Sequence, residues 1–115
     1  LRAMQDLLQH LPAVIYEFTI HTDGRRYFNF ISQACESILG LNPADVLADA
    51  SLMDSIVYED DRAGMVETSR ASERSATEWN WHGRVVVRKK IKWVEIRSNH
   101  TVQANGNVLR RGIIQ

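Results

Sequence analysis

The last third of the chain, residues 77–114, has the sequence TEWNWHGRVVVRKKIKWVEIRSNHTVQANGNVLRRGII. Polar and apolar residues alternate through much of this stretch, which is the period of a β-strand. The alternation is interrupted at Arg88-Lys89-Lys90 and at Asn105-Gly106, and Asn-Gly is a strong signal for a hairpin turn. The stretch therefore predicts three antiparallel strands, over residues 77–88, 91–103 and 107–114.

The middle strand of this group carries large apolar side chains on both of its faces. Ile91 and Trp93 share one face, and Val94 and Ile96 share the other. A sheet that is apolar on both faces needs cover on both sides. We expect the central helices to cover one face and the N-terminal helix, or a second subunit, to cover the other.

Two further strands precede this group. Residues 13–20 alternate in polarity, Asp23-Gly24 is a hairpin signal, and a second strand follows from Tyr27 to Ile31. The period of two predicts that Phe28 and Phe30 share a face. The two segments are predicted to form an antiparallel pair.

Between the two groups of strands the apolar residues adopt helical spacing. Ser32 is a candidate N-cap for a first helix that ends at Gly40, and Asn42-Pro43-Ala44-Asp45 is typical of the start of a second. Asp60 or Asp61 is predicted to cap a third helix that runs to about Glu73. Because that helix is sparsely apolar and contains Gly64, we expect it to be the loosest of the three.

Residues 1–11 are predicted to form a helix that ends before Pro12. Its apolar residues follow the 3-4-3 spacing of a coiled coil, at Leu1, Met4, Leu8 and Leu11. Packing of this helix on its own domain explains the stripe equally well. The predicted organisation is a flanking helix, residues 1–11, and one domain, residues 12–115. The fold class is α+β, a five-stranded antiparallel sheet with a helical insertion between its second and third strands.

Composition excludes several classes of protein. No apolar run approaches the ~20 residues of a membrane span, and the single cysteine, Cys35, excludes a disulfide scaffold. The net charge of zero hides a segregation, with seven acids and no base in residues 27–61 and eight bases against one acid in residues 82–111. These are either two solvated faces or a basic surface for a partner. Nucleic acid is not expected as that partner, because acids and bases are equal in number.

No catalytic or metal-binding motif stands out. The six glycines are never grouped into a phosphate-binding loop, and the four histidines form no local pair at ligand spacing. Asp60 and Asp61 are adjacent carboxylates, but their place before a helix favours capping over acid–base chemistry. We therefore do not expect this segment to be an enzyme.

Several pieces of the sequence, in this order, resemble a PAS domain of the subgroup common in bacterial sensory-box proteins, and the resemblance covers about residues 7–115. The long helix begins at Tyr58-Glu59-Asp60-Asp61-Arg62, where the family has His-Pro-x-Asp-Arg, and the family's Asp-Gly hairpin tip is Arg88-Lys89-Lys90 here. Neither departure threatens the fold. The remaining matching pieces are Leu11-Pro12-Ala13-Val14-Ile15-Tyr16, Asp23-Gly24 with Phe30-Ile31-Ser32, Ile38-Leu39-Gly40-Leu41, Asn42-Pro43-Ala44-Asp45-Val46-Leu47, Arg84, Trp93-Val94, and Asn105-Gly106 with Gly112-Ile113-Ile114.

The resemblance implies a cytoplasmic regulatory module of a signal-transduction protein, attached to an output domain such as a GGDEF-type diguanylate cyclase or a histidine kinase. We expect a homodimer through residues 1–11 and the outer face of the sheet. A ligand-free dimerisation domain of the same fold is the alternative. The chain begins without Met and stops inside the apolar run of residues 112–115, so we expect it to be a piece of a longer protein.

Any ligand is expected to be small and mostly apolar or aromatic, and to lie between the third helix and the inner face of the sheet. Some proteins that the chain resembles bind haem through a histidine of the long helix, but residues 60–74 contain no histidine, so haem is not expected. A flavin adduct is not expected either, because Cys35 lies in Gln33-Ala34-Cys35-Glu36-Ser37 and not in the family's Asn-Cys-Arg-Phe-Leu-Gln motif. The predicted core contains Phe28, Phe30, Ile38, Leu39 and Ile56. The candidate pocket residues are Phe28, Phe30, Cys35, Leu39, Met65, Val66 and Trp81.

Overall fold

The structure is a computed structural model that describes residues 2–115. Leu1, the first residue of the predicted apolar stripe, lies outside the described residues. The helices are α1 (Arg2–Leu8), α2 (Ala34–Leu39), α3 (Pro43–Ala48), α4 (Ser51–Ser55) and α5 (Glu59–Ser75). The strands are β1 (Val14–Ile20), β2 (Arg26–Ile31), β3 (Trp79–Val87), β4 (Lys90–Ser98), β5 (Thr101–Val102) and β6 (Val108–Ile114).

The strands form one antiparallel sheet in the order β2-β1-β6-β4-β3, and the short β5 pairs with β6. The predicted α+β fold with a helical insertion after the second strand is confirmed. The strand expected over residues 91–103 is divided into β4 and β5, because the chain leaves the ladder at Asn99. There the side-chain oxygen of Asn99, and not a backbone carbonyl, accepts the N–H of Arg111 at 2.9 Å.

A β-bulge in β2 separates two aromatic side chains that were predicted to share a face. Glu17 of β1 pairs with Phe30, but Phe18 pairs with Phe28, so that Asn29 is an extra residue in the ladder. Because side chains alternate along a strand, one extra residue sends Phe28 to the inner face and Phe30 to the outer face. The prediction of a shared face, and with it a core position for Phe30, is therefore wrong.

The helix ends follow local chemistry in two places and long-range contacts in a third. Asn42 caps α3, where its side chain accepts the N–H of Ala44 at 2.8 Å, and Gly40 ends α2 with a φ of 70°. Ser32 does not cap α2 as predicted. Its Oγ accepts the N–H of Ile15 at 2.9 Å and so ties the start of α2 to β1.

Asp61, in the first turn of α5, anchors the helix to the sheet and does not cap it. The N-cap position is Tyr58, and its side chain makes no capping hydrogen bond. The Asp61 carboxylate accepts hydrogen bonds from Nε and Nη2 of Arg84, at 2.9 and 2.8 Å, and from the Arg84 backbone N–H at 2.8 Å. These hydrogen bonds from Arg84 lower the pKa of Asp61. The first turn of α5 is thereby held against β3.

The basic hairpin between β3 and β4 contacts the end of α2. Arg88 and Lys89 form the turn with φ values of 50° and 68°, a conformation that glycine usually occupies. Nη2 of Arg88 donates to the Glu36 carbonyl at 2.9 Å, and Nζ of Lys92 donates to the Ile38 carbonyl at 2.7 Å. Cations near helical carbonyls at a C-terminus are favourable. Arg88 and Lys92, two of the eight bases in residues 82–111, therefore contact the helical insertion.

The helices cover the inner face of the sheet, and the outer face keeps large exposed apolar side chains. Ile91 is 56% exposed and Trp93 is 59% exposed. The helix α1 ends at Leu8, earlier than predicted, and leaves Met4, Leu7 and Leu11 exposed. Within residues 2–115, neither apolar surface is covered.

Candidate functional site

A cavity of about 350 Å³ lies between α5, the segment around α4 and the inner face of the sheet. Its volume is at the lower end of the range for small-molecule sites. Its walls are mostly apolar and come from the strands and from α5. Representative wall residues are Tyr16, Phe18, Phe28, Met65, Trp81 and Val94.

Five of the seven candidate pocket residues border this cavity: Phe28, Leu39, Met65, Val66 and Trp81. Leu39 and Met65 are buried, whereas Val66 is 49% exposed and stands where the cavity opens to solvent. That these residues bind a ligand stays a prediction.

Phe30 and Cys35 do not border the cavity. The bulge turns Phe30 to the outer face, and Cys35, in the first turn of α2, is fully buried in the core. Burial, with a smaller effect of Glu36, raises the pKa of the Cys35 thiol to about 11. At neutral pH this thiol is protonated and poorly reactive.

The predicted core residues pack to different degrees. Leu39 belongs to the buried core cluster, and Phe28, Ile38 and Ile56 are half-buried and pack against it. Phe30 is the one predicted core residue that the bulge removes.

Aromatic rings form one wall of the cavity. The ring of Phe28 meets Tyr16 and Phe18 edge to face, with centroid distances of 5.6 and 4.8 Å. On the neighbouring wall, Nε1 of Trp79 donates to Oγ1 of Thr68 on α5 at 3.0 Å. Edge-to-face pairs add stability beyond area burial, so this wall is a preorganised surface for an apolar or aromatic guest.

Arg110 forms the polar end of the cavity and was not among the candidate pocket residues. We had counted this residue only as part of the basic segment, but it lies on the inner face of β6 opposite Phe18 and is 3% exposed. Burial lowers the pKa of its guanidinium. The signal was present in the alternation, because Arg110 shares its face with Gly112 and the buried Ile114.

The hydrogen-bond partners of Arg110 are neutral. Nη2 donates to Oγ of Ser72 and Nδ1 of His100, both at 3.0 Å, and Nη1 makes a long contact of 3.4 Å with Oγ of Ser98. Nε has no hydrogen-bond partner among residues 2–115. Because His100 accepts this bond, its ring is neutral, and burial followed by the charge of Arg110 lowers the pKa of that ring.

A second arginine beside the cavity is fully paired. Nη1 and Nη2 of Arg26 donate to the two carboxylate oxygens of Glu73 at 3.0 and 2.9 Å, which links β2 to α5. Burial acts to raise the pKa of Glu73, but the hydrogen bonds and charge of Arg26 outweigh it and the pKa is lowered. Glu73 therefore stays ionised and is held by Arg26.

Residues 2–115 contain neither a candidate metal site nor a candidate membrane-spanning helix. Within residues 2–115, no three His, Cys, Asp or Glu side chains come close enough together to hold a metal ion. No helix in that range combines the length and apolar character needed to cross a bilayer.

The family model described as the PAS fold matches residues 2–114 of the chain. No curated protein gives a significant match. The solved structures that resemble the chain include the N-terminal domain of a diguanylate cyclase with a PAS/PAC sensor from Marinobacter aquaeolei. That domain is 14% identical, with a TM-score of 0.77 over 90% of this chain and 93% of its own.

Two other solved structures have similar scores. One is a domain of a putative light and redox sensing histidine kinase from Haloarcula marismortui, 21% identical, with a TM-score of 0.75 over 100% of this chain and 97% of its own. The other is the PAS domain of a protein from Colwellia psychrerythraea, 12% identical, with a TM-score of 0.76 over 99% and 93%. At these identities the structures support the fold alone. Together with the family match over nearly the whole chain, they establish that this chain belongs to the PAS family, the sensory domains of signalling proteins.

Proposed function

We propose that this chain is the sensory and dimerisation module of a bacterial signal-transduction protein, and that its cavity binds a small, mostly apolar or aromatic ligand. The attached output domain would be a diguanylate cyclase or a histidine kinase, and the module would be cytoplasmic. The observation that carries the ligand proposal is the cavity of about 350 Å³ beneath α5 with its aromatic wall. A pocket with few polar groups selects ligands of this kind.

The helix α5 is the element best suited to respond to a ligand. Of its 17 residues only Met65 and Ser72 are buried, so few contacts hold its middle against the sheet. Asp61 fastens its first turn to β3, and Glu73 fastens its last turns to β2. A guest beside the adaptable Met65 can therefore move the middle of α5 while both ends stay attached.

The dimer would transmit that movement to the output domain. The exposed apolar residues of α1, Met4, Leu7 and Leu11, and the outer-face residues Ile91 and Trp93 supply the surface. A two-fold contact is the commonest oligomer, and it buries the same patch on both copies. The flanking helix of residues 1–11 would then be the connection between sheet and neighbouring domains.

Native mass spectrometry of freshly purified protein, followed by a thermal-shift screen of small aromatic compounds, tests ligand binding. A ligand at a hundred times its Kd should stabilise the fold by about 2.7 kcal/mol. Ser69 borders the cavity, so Ser69→Phe should fill it and abolish the shift, whereas Ala63→Phe on the exposed side of α5 should keep it. No retained molecule and no stabilising compound would favour the ligand-free dimerisation domain.

Light scattering at high micromolar concentration tests the dimer. We expect a dimer that weakens when residues 1–10 are removed or when Trp93 is changed to Glu. Val102→Glu is the matched control, because Val102 is 61% exposed but belongs to neither proposed contact surface. A strict monomer would contradict the dimer proposal.

A further inference from the structure

The polar end of the cavity holds a positive charge, and no carboxylate among residues 2–115 forms a hydrogen bond or a close ion pair with it. Glu73 attracts the Arg110 guanidinium from a greater distance. Arg110 is 3% exposed, its three hydrogen-bond partners are neutral, and Nε has no partner among residues 2–115. A buried charge is costly unless it is both paired and hydrogen-bonded. Native structures rarely leave such a group uncompensated without a functional reason.

The nearby carboxylates are committed to other arginines or disfavoured in their charged form. Both oxygens of Glu73 accept hydrogen bonds from Arg26. Asp54 also borders the cavity, and partial burial of its carboxyl raises its pKa and so disfavours the charged form. Arg70, 51% exposed in its side chain, adds a further positive charge beside the cavity. The arginines therefore outnumber the acids around the cavity, and Arg110 is the most deeply buried of them.

On this basis we propose that the ligand of the cavity is a small monocarboxylic acid, whose carboxylate accepts a hydrogen bond from Arg110 and whose aromatic or alkyl body lies against the apolar walls. The inference rests on the proposed ligand binding and names its chemical class. Arg110 pairs with Phe18 across β1 and β6, so the charged end adjoins the aromatic wall directly. Arg26 is held by Glu73, and the Arg70 side chain is 51% exposed. A second carboxylate on a ligand that lies wholly inside the cavity would therefore meet apolar side chains and be costly to desolvate, which favours a single anionic group.

Matched pairs of an acid and its uncharged amide test the proposal. The probes are the phenylalkanoates from phenylacetate to 5-phenylpentanoate and the corresponding amides, with Kd measured by calorimetry at neutral pH. Because hydrogen bonds to charged groups are stronger than neutral ones, the best acid should bind at least about ten-fold tighter than its amide. In arginine-detected NMR of the wild-type protein, the Nε–H signal of Arg110 should move on addition of the acid and not of the amide.

Three variants locate the charge that recognises the acid. Arg110→Met should bring the two affinities close together. Arg111→Gln is the matched control, because Arg111 is the next residue of β6 on the outer face, paired with Glu17, and should keep the preference. Arg70→Gln should keep it as well. The NMR measurement on the wild-type protein keeps the test independent of whether Arg110→Met folds.

The outcomes separate this inference from the function on which it rests. If an acid and its amide bind equally well, the cavity binds apolar ligands and the carboxylate proposal is overturned. A preference that survives in Arg110→Met, or that is lost in Arg70→Gln alone, also overturns it. If no acid and no amide of any length binds at millimolar concentration, then both the carboxylate proposal and the proposed ligand binding fail.

Discussion

The change Leu39→Ala probes how firmly α2 is packed between the sheet and the cavity. Leu39 is 2% exposed, belongs to the core cluster and borders the cavity. Buried Leu→Ala substitutions cost ~2–5 kcal/mol, and the cost is largest where neighbours cannot collapse into the space. On one side of Leu39 the neighbouring space is already empty, so no side chain there can fill the gap. We expect a loss of about 3 kcal/mol, within that range.

Thermal and urea unfolding measure this loss. For a domain of this length each kcal/mol corresponds to about 4 °C, so the Tm should fall by about 12 °C while the urea m-value stays unchanged. Leu47→Ala is the matched control, because Leu47 lies on the adjacent α3 but is 43% exposed, and its cost should stay within ~0.5 kcal/mol. A loss below about 0.5 kcal/mol at Leu39 would refute the reasoning, since it would mean that α2 is not packed as described.

Three further substitutions test other elements. Gly64→Ala should stabilise the fold by ~1 kcal/mol in urea unfolding, because alanine favours the helix. A Cβ at Gly64 would meet no neighbouring atom within 4 Å outside its own helix turn. A destabilised variant would contradict the exposed placement of Gly64. Asn42→Ala should cost ~1 kcal/mol through loss of the cap on α3, and an unchanged Tm would argue against that cap. The hydrogen bonds from Arg84 lower the folded-state pKa of Asp61, so its contribution is present above the ordinary pKa of Asp and is lost as pH falls through the folded value. Asp61→Asn should therefore make Tm fall less steeply between about pH 5 and pH 2 than it does in the wild-type protein. If the two profiles of Tm against pH are identical, the Asp61–Arg84 pair is not the cause of the fall.

The candidate residues that border the cavity lie where the period of the chain is regular. Trp79 and Trp81 share a face of β3 and both border the cavity, because β3 pairs with β4 without a bulge between them. Met65 faces it because it is the large apolar residue that α5 buries. Phe30 was predicted wrongly because the period of two was applied across Asn29, where the pairing with β1 adds one residue.

The amino-acid sequence by itself determined the order of the elements apart from α4 and β5, the turns at Gly24 and Gly106, the cap at Asn42 and the end of α2 at Gly40. These features depend on residues a few positions apart, whose preferred backbone angles and hydrogen bonds are the same in any tertiary setting. Only the tertiary structure decided the bulge in β2, the pairing of Asp61 with Arg84, and the burial of Arg110 without an acidic partner among residues 2–115. The pairing of Asp61 and the burial of Arg110 depend on which strands and helices come together across long stretches of chain, and the bulge depends on how β2 pairs with β1. Charge and polarity along the sequence do not reveal whether an arginine will meet water, a carboxylate or the wall of a cavity.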